Sequence, residues 1–195
     1  MSKTLDYYNE NAQKYIDSTV SVDFTKTQDK FLACLKPGAS ILDFGCGSGR
    51  DTKYFMEHGY KVDALDGSEE FCKYASAYTG IEVKQMLFQD FKEIDKYDGI
   101  WACSSILHLT YDELVEVMKH LGEALHHGGI MYTSFKYSDF EGYRHERYFI
   151  DFKEEKLKKL IEEVGCFEVI EQWITGDVRV GRGDERWLNI LVKKI

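Results

Sequence analysis

Long apolar runs are missing from this chain. None approaches the roughly 18 residues a membrane-spanning helix needs, and the longest are strand-sized, so no membrane role is expected. The opening residues Met1-Ser2-Lys3-Thr4-Leu5-Asp6 lack the basic stretch and apolar core of a signal peptide. The cysteines, Cys34, Cys46, Cys72, Cys103 and Cys166, are an odd set with no CxxC spacing, which argues against a disulfide framework and for a reducing, cytoplasmic setting. No His/Cys spacing suits zinc, so no metal is expected. Positive charge is in deficit, with 25 Lys and Arg against 34 Asp and Glu, a net charge of −9. That field opposes a nonspecific grip on a polyanion, and nucleic acid is disfavoured as a partner. No linker or low-complexity stretch divides the 195 residues, of which 44% are hydrophobic, so one domain over 1–195 is expected.

Glycine is present where it informs most, in Ile41-Leu42-Asp43-Phe44-Gly45-Cys46-Gly47-Ser48-Gly49. A buried strand over 39–44 and a helix over 50–57 put these glycines on the strand-to-helix turn of a βαβ unit, where the missing Cβ lets the chain turn tightly and a ligand approach. A dinucleotide site would want a third glycine at position 50 or 52, which hold Arg50 and Thr52. Asp43 suits a cationic ligand, one with an ammonium and a sulfonium such as S-adenosylmethionine, better than a pyrophosphate. A second strand ends in Asp66, about 20 residues past the first glycine, where ribose hydroxyls are held in nucleoside sites; Asp66 or Ser68 could instead cap the next helix.

With these motifs in register, the chain resembles the class I S-adenosylmethionine-dependent methyltransferases over nearly its whole length, and the variant Gly49-Arg50-Asp51 resembles their tellurite-resistance-type subgroup. The resemblance implies that Asp43, Gly45, Cys46, Gly47, Ser48 and Gly49 hold the methionine end with Arg50 on its carboxylate. It implies Asp66 with Gly67 and Ser68 at the ribose, and Gln89, Asp90 and Phe91 at the adenine. It also puts Ala102 and Cys103 at the reactive edge and Tyr15 over the cofactor.

Strand-like and helical segments alternate. Strands are expected over 60–65, 81–87, 98–103 and 129–135, helices over 5–17, 24–35, 69–78, 111–125 and 153–164, and a terminal antiparallel hairpin over 167–174 and 186–192. This is an α/β, Rossmann-like doubly wound seven-stranded sheet with helices on both faces. The resemblance supplies the order 3-2-1-4-5-7-6, with the seventh strand antiparallel. Three regions are expected: a helical lid or cap over 1–36, a cofactor core over 37–135, and a substrate-side insertion with the hairpin over 136–195.

Ligands of such sheets bind beyond the carboxyl ends of the parallel strands. The acceptor is therefore expected near Ser104 and His108, near Lys136, Arg144 and Arg147, at the tip over 175–184 with Arg179 and Arg182, and under Tyr8 of the first helix. Tyr8 and Tyr15, seven apart, share a helical face that either packs on the domain or closes as a lid. His108 is the candidate base, or a histidine hydrogen-bonded for structure. The arginines either bind a small anionic or aromatic acceptor or fasten their loops through salt bridges. The expected reaction is in-line methyl transfer to a small molecule, leaving S-adenosylhomocysteine; the alternatives are a sensor or partner subunit that binds these nucleosides without turnover, and a nicotinamide oxidoreductase. No Asn-Pro-Pro-Tyr signature follows the fourth strand, and the oligomeric state is left open.

Overall fold

The computed structural model describes residues 3–179 and 181–195; Met1, Ser2 and Val180, the last within the expected hairpin tip, lie outside the described residues. The chain begins with α1 (Lys3–Glu10) and α2 (Ala12–Thr19). The sequence predicts one helix here, and Asn11, at φ −111° and ψ 15°, divides it; its Nδ2 and its backbone N–H both donate to the Tyr7 carbonyl, at 2.9 and 3.0 Å. Next comes α3 (Thr25–Leu32), followed by alternating β1 (Ser40–Phe44), α4 (Arg50–Glu57), β2 (Lys61–Asp66), α5 (Glu69–Thr79), β3 (Val83–Gln85), β4 (Tyr97–Ala102), α6 (Tyr111–Ala124) and β5 (Leu125–Lys136). The Thr110 and Glu113 side chains start α6 with a capping box. The remainder is β6 (Glu141–Arg144), β7 (Arg147–Ile150), α7 (Glu154–Val164), β8 (Phe167–Gly176) and β9 (Arg186–Lys194).

One sheet runs β3-β2-β1-β4-β5-β9-β8, with β9 antiparallel to both β5 and β8. This is the expected order once the separate β6–β7 hairpin is set aside. That hairpin, unforeseen as strands, fills the insertion after β5. Its turn at His145 and Glu146 carries no glycine or asparagine, and His145 itself takes φ +57°.

Two apolar layers flank the sheet. On one face α6 and α7 bury Leu114, Met118, Leu121, Leu157 and Leu160 against β4, β5 and β9. On the other, Phe31 and Phe55 from α3 and α4 surround Trp101 and Tyr132. Asp51 lies inside this second layer, where it accepts hydrogen bonds from Gln28 Nε2 at 2.7 Å, Trp101 Nε1 at 2.8 Å and the Arg50 guanidinium. A buried carboxylate is tolerated when its oxygens are saturated in this way. Among the described residues no helix is long and apolar enough to cross a membrane.

Candidate active site

The glycine turn closes against β2. Gly45 N and Cys46 N both donate to the Leu65 carbonyl, at 2.9 and 3.0 Å, and Gly47 N donates to Asp66 Oδ2 at 2.9 Å. Asp66 Oδ1 accepts from Ser68 N at 2.8 Å, so one carboxylate bridges the loops after β1 and β2. Burial pushes the Asp66 carboxyl up to about 6, against the pull of the Ser68, Gly47 and Gly67 amides. Gly45 has φ +86°, and a Cβ there would lie 2.4 Å from Ser105 Cβ and 2.9 Å from Phe88 Cζ, so no side chain fits.

Above these loops is a cavity of about 670 Å³, inside the range of roughly 300–1,000 Å³ usual for small-molecule sites. Gly45, Cys46, Gly47, Ser48, Arg50, Asp66, Gly67 and Gln89 line it on the glycine-loop side; Tyr8, Tyr15, Cys103, Ser104, His108 and Arg179 also line it. Leu87, Phe88, Phe71, Asp177, Trp187 and Asn189 join the walls without having been singled out as site residues. The expected acceptor loops do pass over this end of the sheet, yet only the side chains reveal which residues reach inward.

Several expected residues stand elsewhere. Asp43 is 2% exposed and accepts from Thr52 Oγ1 at 2.5 Å beneath the loop, away from the cavity wall; burial and the Asp51 carboxylate raise its pKa. Gly49 caps α4 in the left-handed conformation, and Ala102 is wholly buried in β4. Ser68 caps α5 and donates to Asn9 Oδ1 at 2.7 Å, holding α1 in place. Asp90 is exposed and Phe91 packs edge-on against Phe44; both border a separate groove, and Leu87, Phe88 and Gln89 face the main cavity instead. The reason is a 3₁₀ turn over Phe88–Asp90, which swings Asp90 outward.

The basic residues divide similarly. Lys136 pairs with Glu185, Arg144 with the buried Asp151, and Arg182 with Glu185 at 3.4 Å, all outside the cavity wall. Arg147 likewise stays out of the wall. It lies over the Tyr7, Tyr8 and Phe149 rings, with its Nε buried and unpartnered, and Nη1 is 3.4 Å from the Tyr8 oxygen.

His108 joins three elements. Its Nδ1 lies 2.6 Å from the Tyr148 carbonyl and must be the donor there, so Nε2 is the acceptor for the Tyr8 hydroxyl at 2.7 Å. Tyr148 N in turn donates to Thr4 Oγ1 at 3.1 Å. The neutral ring therefore clasps α1 to the β6–β7 hairpin. Burial, with the Arg147 charge adding to it, lowers His108 to about 4 despite the Tyr148 carbonyl. The sign follows: between pH 6.5 and about 4 the unfolded chain protonates this ring while the folded one does not, so its stability contribution is complete above 6.5 and falls as pH drops. Melting curves across that window are expected to show wild type losing midpoint relative to His108→Asn as the pH is lowered. Asp66 and Asp43 act in the opposite sense but are common to both proteins. Parallel curves would mean that the clasp does not titrate.

Tyr15 stacks edge-on to Tyr8, with centroids 5.4 Å apart, and both rings pack on Phe71 of α5, so the shared face expected of these tyrosines exists across the break at Asn11. Ser104 takes φ +53°, an uncommon conformation for serine, and its amide is held by Ser134 Oγ at 3.0 Å. Burial pushes the Cys103 thiol up to about 12, so it stays protonated at neutral pH.

Residues 41–129 match a protein-family profile described as a methyltransferase domain. The human N-terminal Xaa-Pro-Lys N-methyltransferase 1 is 37% identical over 105 residues, 49% of this chain and 47% of that protein, so the chain spans about half the length of the curated relatives it matches. Among solved structures, 1,6-didemethyltoxoflavin-N1-methyltransferase from Burkholderia thailandensis, with bound 1,6-didemethyltoxoflavin and S-adenosylhomocysteine, is similar at a TM-score of 0.76 and 22% identity, over 97% of this chain and 84% of that one. The [4+2]-cyclase SpnF gives 0.76 at 12% identity, over 100% of this chain and 97% of that one. Identities this low show a common fold, and a fold does not determine a reaction. Residues 41–129 thus resemble a methyltransferase domain, and the strand order β3-β2-β1-β4-β5-β9-β8 is that of the fold these solved structures share.

Proposed function

We propose that this protein transfers the methyl group of S-adenosylmethionine to a small, flat acceptor inside the 670 Å³ cavity. The observation that carries this is the joining of the glycine turn to Asp66 at the cavity's edge: a carboxylate and backbone amides, with no room for a Cβ at Gly45. The fit is to a ligand that is cationic at its reacting atom and carries ribose hydroxyls. Asp66 would hold the ribose, Gly47 and Ser48 the methionine end, and Leu87, Phe88 and Gln89 the base.

When bound, S-adenosylmethionine supplies a methyl group on a sulfonium, open to in-line displacement by an acceptor lone pair. The protein's part is alignment and exclusion of water, terms worth about 7–11 kcal/mol without a covalent intermediate. Tyr8 and Tyr15 cover the cavity, and aromatic walls including Phe71 and Trp187 suit a planar body. His108 does not act as the base in this reading, because Nε2 already accepts the Tyr8 proton and the charged ring is disfavoured.

A second reading has one observation in its favour: the human relative's name states N-methylation of protein N-termini, which points to a peptide α-amine. Parallel calorimetric titrations with S-adenosylmethionine, S-adenosylhomocysteine and NADH test the cofactor. Micromolar binding of the two sulfur nucleosides and none of NADH is expected. Failure of both nucleosides would overturn the proposal. Labelled methyl transfer to small aromatic acceptors, but not to peptides beginning Xaa-Pro-Lys, then decides between the two readings.

A further inference from the structure

Two guanidinium groups line the cavity, and each is tied to an aspartate by one edge only. Arg50 gives Nε and Nη2 to Asp51 at 2.8 and 2.9 Å; Arg179 gives Nε and Nη2 to Asp177 at 2.9 and 2.5 Å. The Asp177 carboxylate also accepts from Arg179 N at 2.9 Å and Trp187 Nε1 at 3.1 Å, and its side chain is only 2% exposed. It is saturated and cannot turn away. The effect is to fix the Arg179 plane while leaving the other end of the fork, Nη1 and the outer hydrogen of Nη2, without an acceptor among the described residues.

Tyr15 lies in the same wall, and its hydroxyl likewise has no hydrogen-bond partner among the described residues. Of the charges that act on this phenol, that of Arg179 is the largest. Two oriented donors thus border a predominantly apolar cavity, where an unmatched donor is costly and a matched one strong. The end of a guanidinium presents two parallel N–H groups, the spacing of a carboxylate.

Topology places Arg179 on the acceptor side of the cavity and not on the cofactor side, with Tyr15 reaching the same space from α2. The glycine turn and Asp66 follow β1 and β2, whereas Arg179 follows β8, at the other end of the order β3-β2-β1-β4-β5-β9-β8. We infer that the acceptor carries a carboxylate, held end-on by Arg179 with Tyr15 as the second donor, Asp177 and Trp187 being positioning residues. This rests on the methyl-transfer reading of the same cavity.

The test uses the full-length protein, first titrated with S-adenosylhomocysteine and then, in the loaded form, with benzoate and benzamide as probes of equal shape. Benzoate is expected to bind at least about 10-fold more tightly than benzamide. Arg179→Gln should remove that preference, Arg179→Lys should keep part of it, and both should bind S-adenosylhomocysteine as wild type does. If wild type does not bind S-adenosylhomocysteine, the methyl-transfer reading fails. If it does bind but treats benzoate and benzamide alike, the carboxylate inference alone fails. Should Arg179→Gln melt early or lose S-adenosylhomocysteine, Arg179→Lys and the wild-type preference decide. A preference unchanged in Arg179→Lys would overturn the fork.

Discussion

Asp66→Ala is expected to weaken S-adenosylhomocysteine binding by about 100-fold or more, the equivalent of some 2.7 kcal/mol. The carboxylate accepts from Gly47 N and Ser68 N, and hydrogen bonds to a charged group are worth about 1.5–3 kcal/mol each. Losing both releases the glycine turn from β2 and removes the group proposed to hold the ribose. Asp66→Asn keeps one acceptor oxygen and should lose about 10-fold, near the worth of one such bond. Burial already pushes this carboxyl up to about 6, so lowering the pH through that value protonates it in the free protein and removes the form that binds hydroxyl donors. Wild-type affinity should therefore fall below pH 6, and that of Asp66→Asn should not fall for this reason. Calorimetry at pH 5 and 7.5 measures both effects. If Asp66→Ala melted at a lower temperature yet bound as wild type does, Asp66 would serve the loop alone.

What could be read in advance followed physical signals of unequal reach. The glycine turn, the acid at Asp66 and the strands over Ser40–Phe44 and Tyr97–Ala102 carry local composition and periodicity, and each lies within a residue or two of its expected place. The strand order came from resemblance, with the terminal hairpin's alternation in agreement. Side-chain direction was beyond that reach. Asp90 and Gln89 are neighbours in sequence, but a 3₁₀ turn points one at solvent and the other at the cavity. Arg144 and Arg179 both looked like ligands for an anion. The first is spent on Asp151, 7 residues away across a hairpin that no turn residue announced, and the second reaches the wall. Leu87 was hidden for another reason: an apolar residue at a strand end reads as core, and only the shape of the cavity sets it apart.

Trp101→Ala should be the most destabilising substitution in the half of the core that supports the site. The ring is fully buried in β4, stacked on Tyr132 with centroids 4.1 Å apart and edge-on to Phe55 at 5.2 Å, so its removal leaves a cavity that β-sheet neighbours cannot close. Truncations of this size cost about 3–5 kcal/mol, a large share of the roughly 5–15 kcal/mol that holds a domain folded. The indole N–H adds to this, because Asp51 would keep its buried charge with one donor fewer. Trp101→Phe separates the contributions: it retains much of the ring, loses the donor, and should cost markedly less than Trp101→Ala. The two should also differ from each other less in cofactor affinity than in melting temperature, since either change leaves Asp51 to orient Arg50 with only Gln28 as a further donor. A ligand present at 100 times its dissociation constant stabilises the folded state by about 2.7 kcal/mol, so saturating S-adenosylhomocysteine should restore much of the lost midpoint. Thermal melts with and without the ligand read both quantities at once. If Trp101→Ala melted like wild type, the aromatic layer beneath β4 would not be what holds Asp51, and through it Arg50, against the cavity.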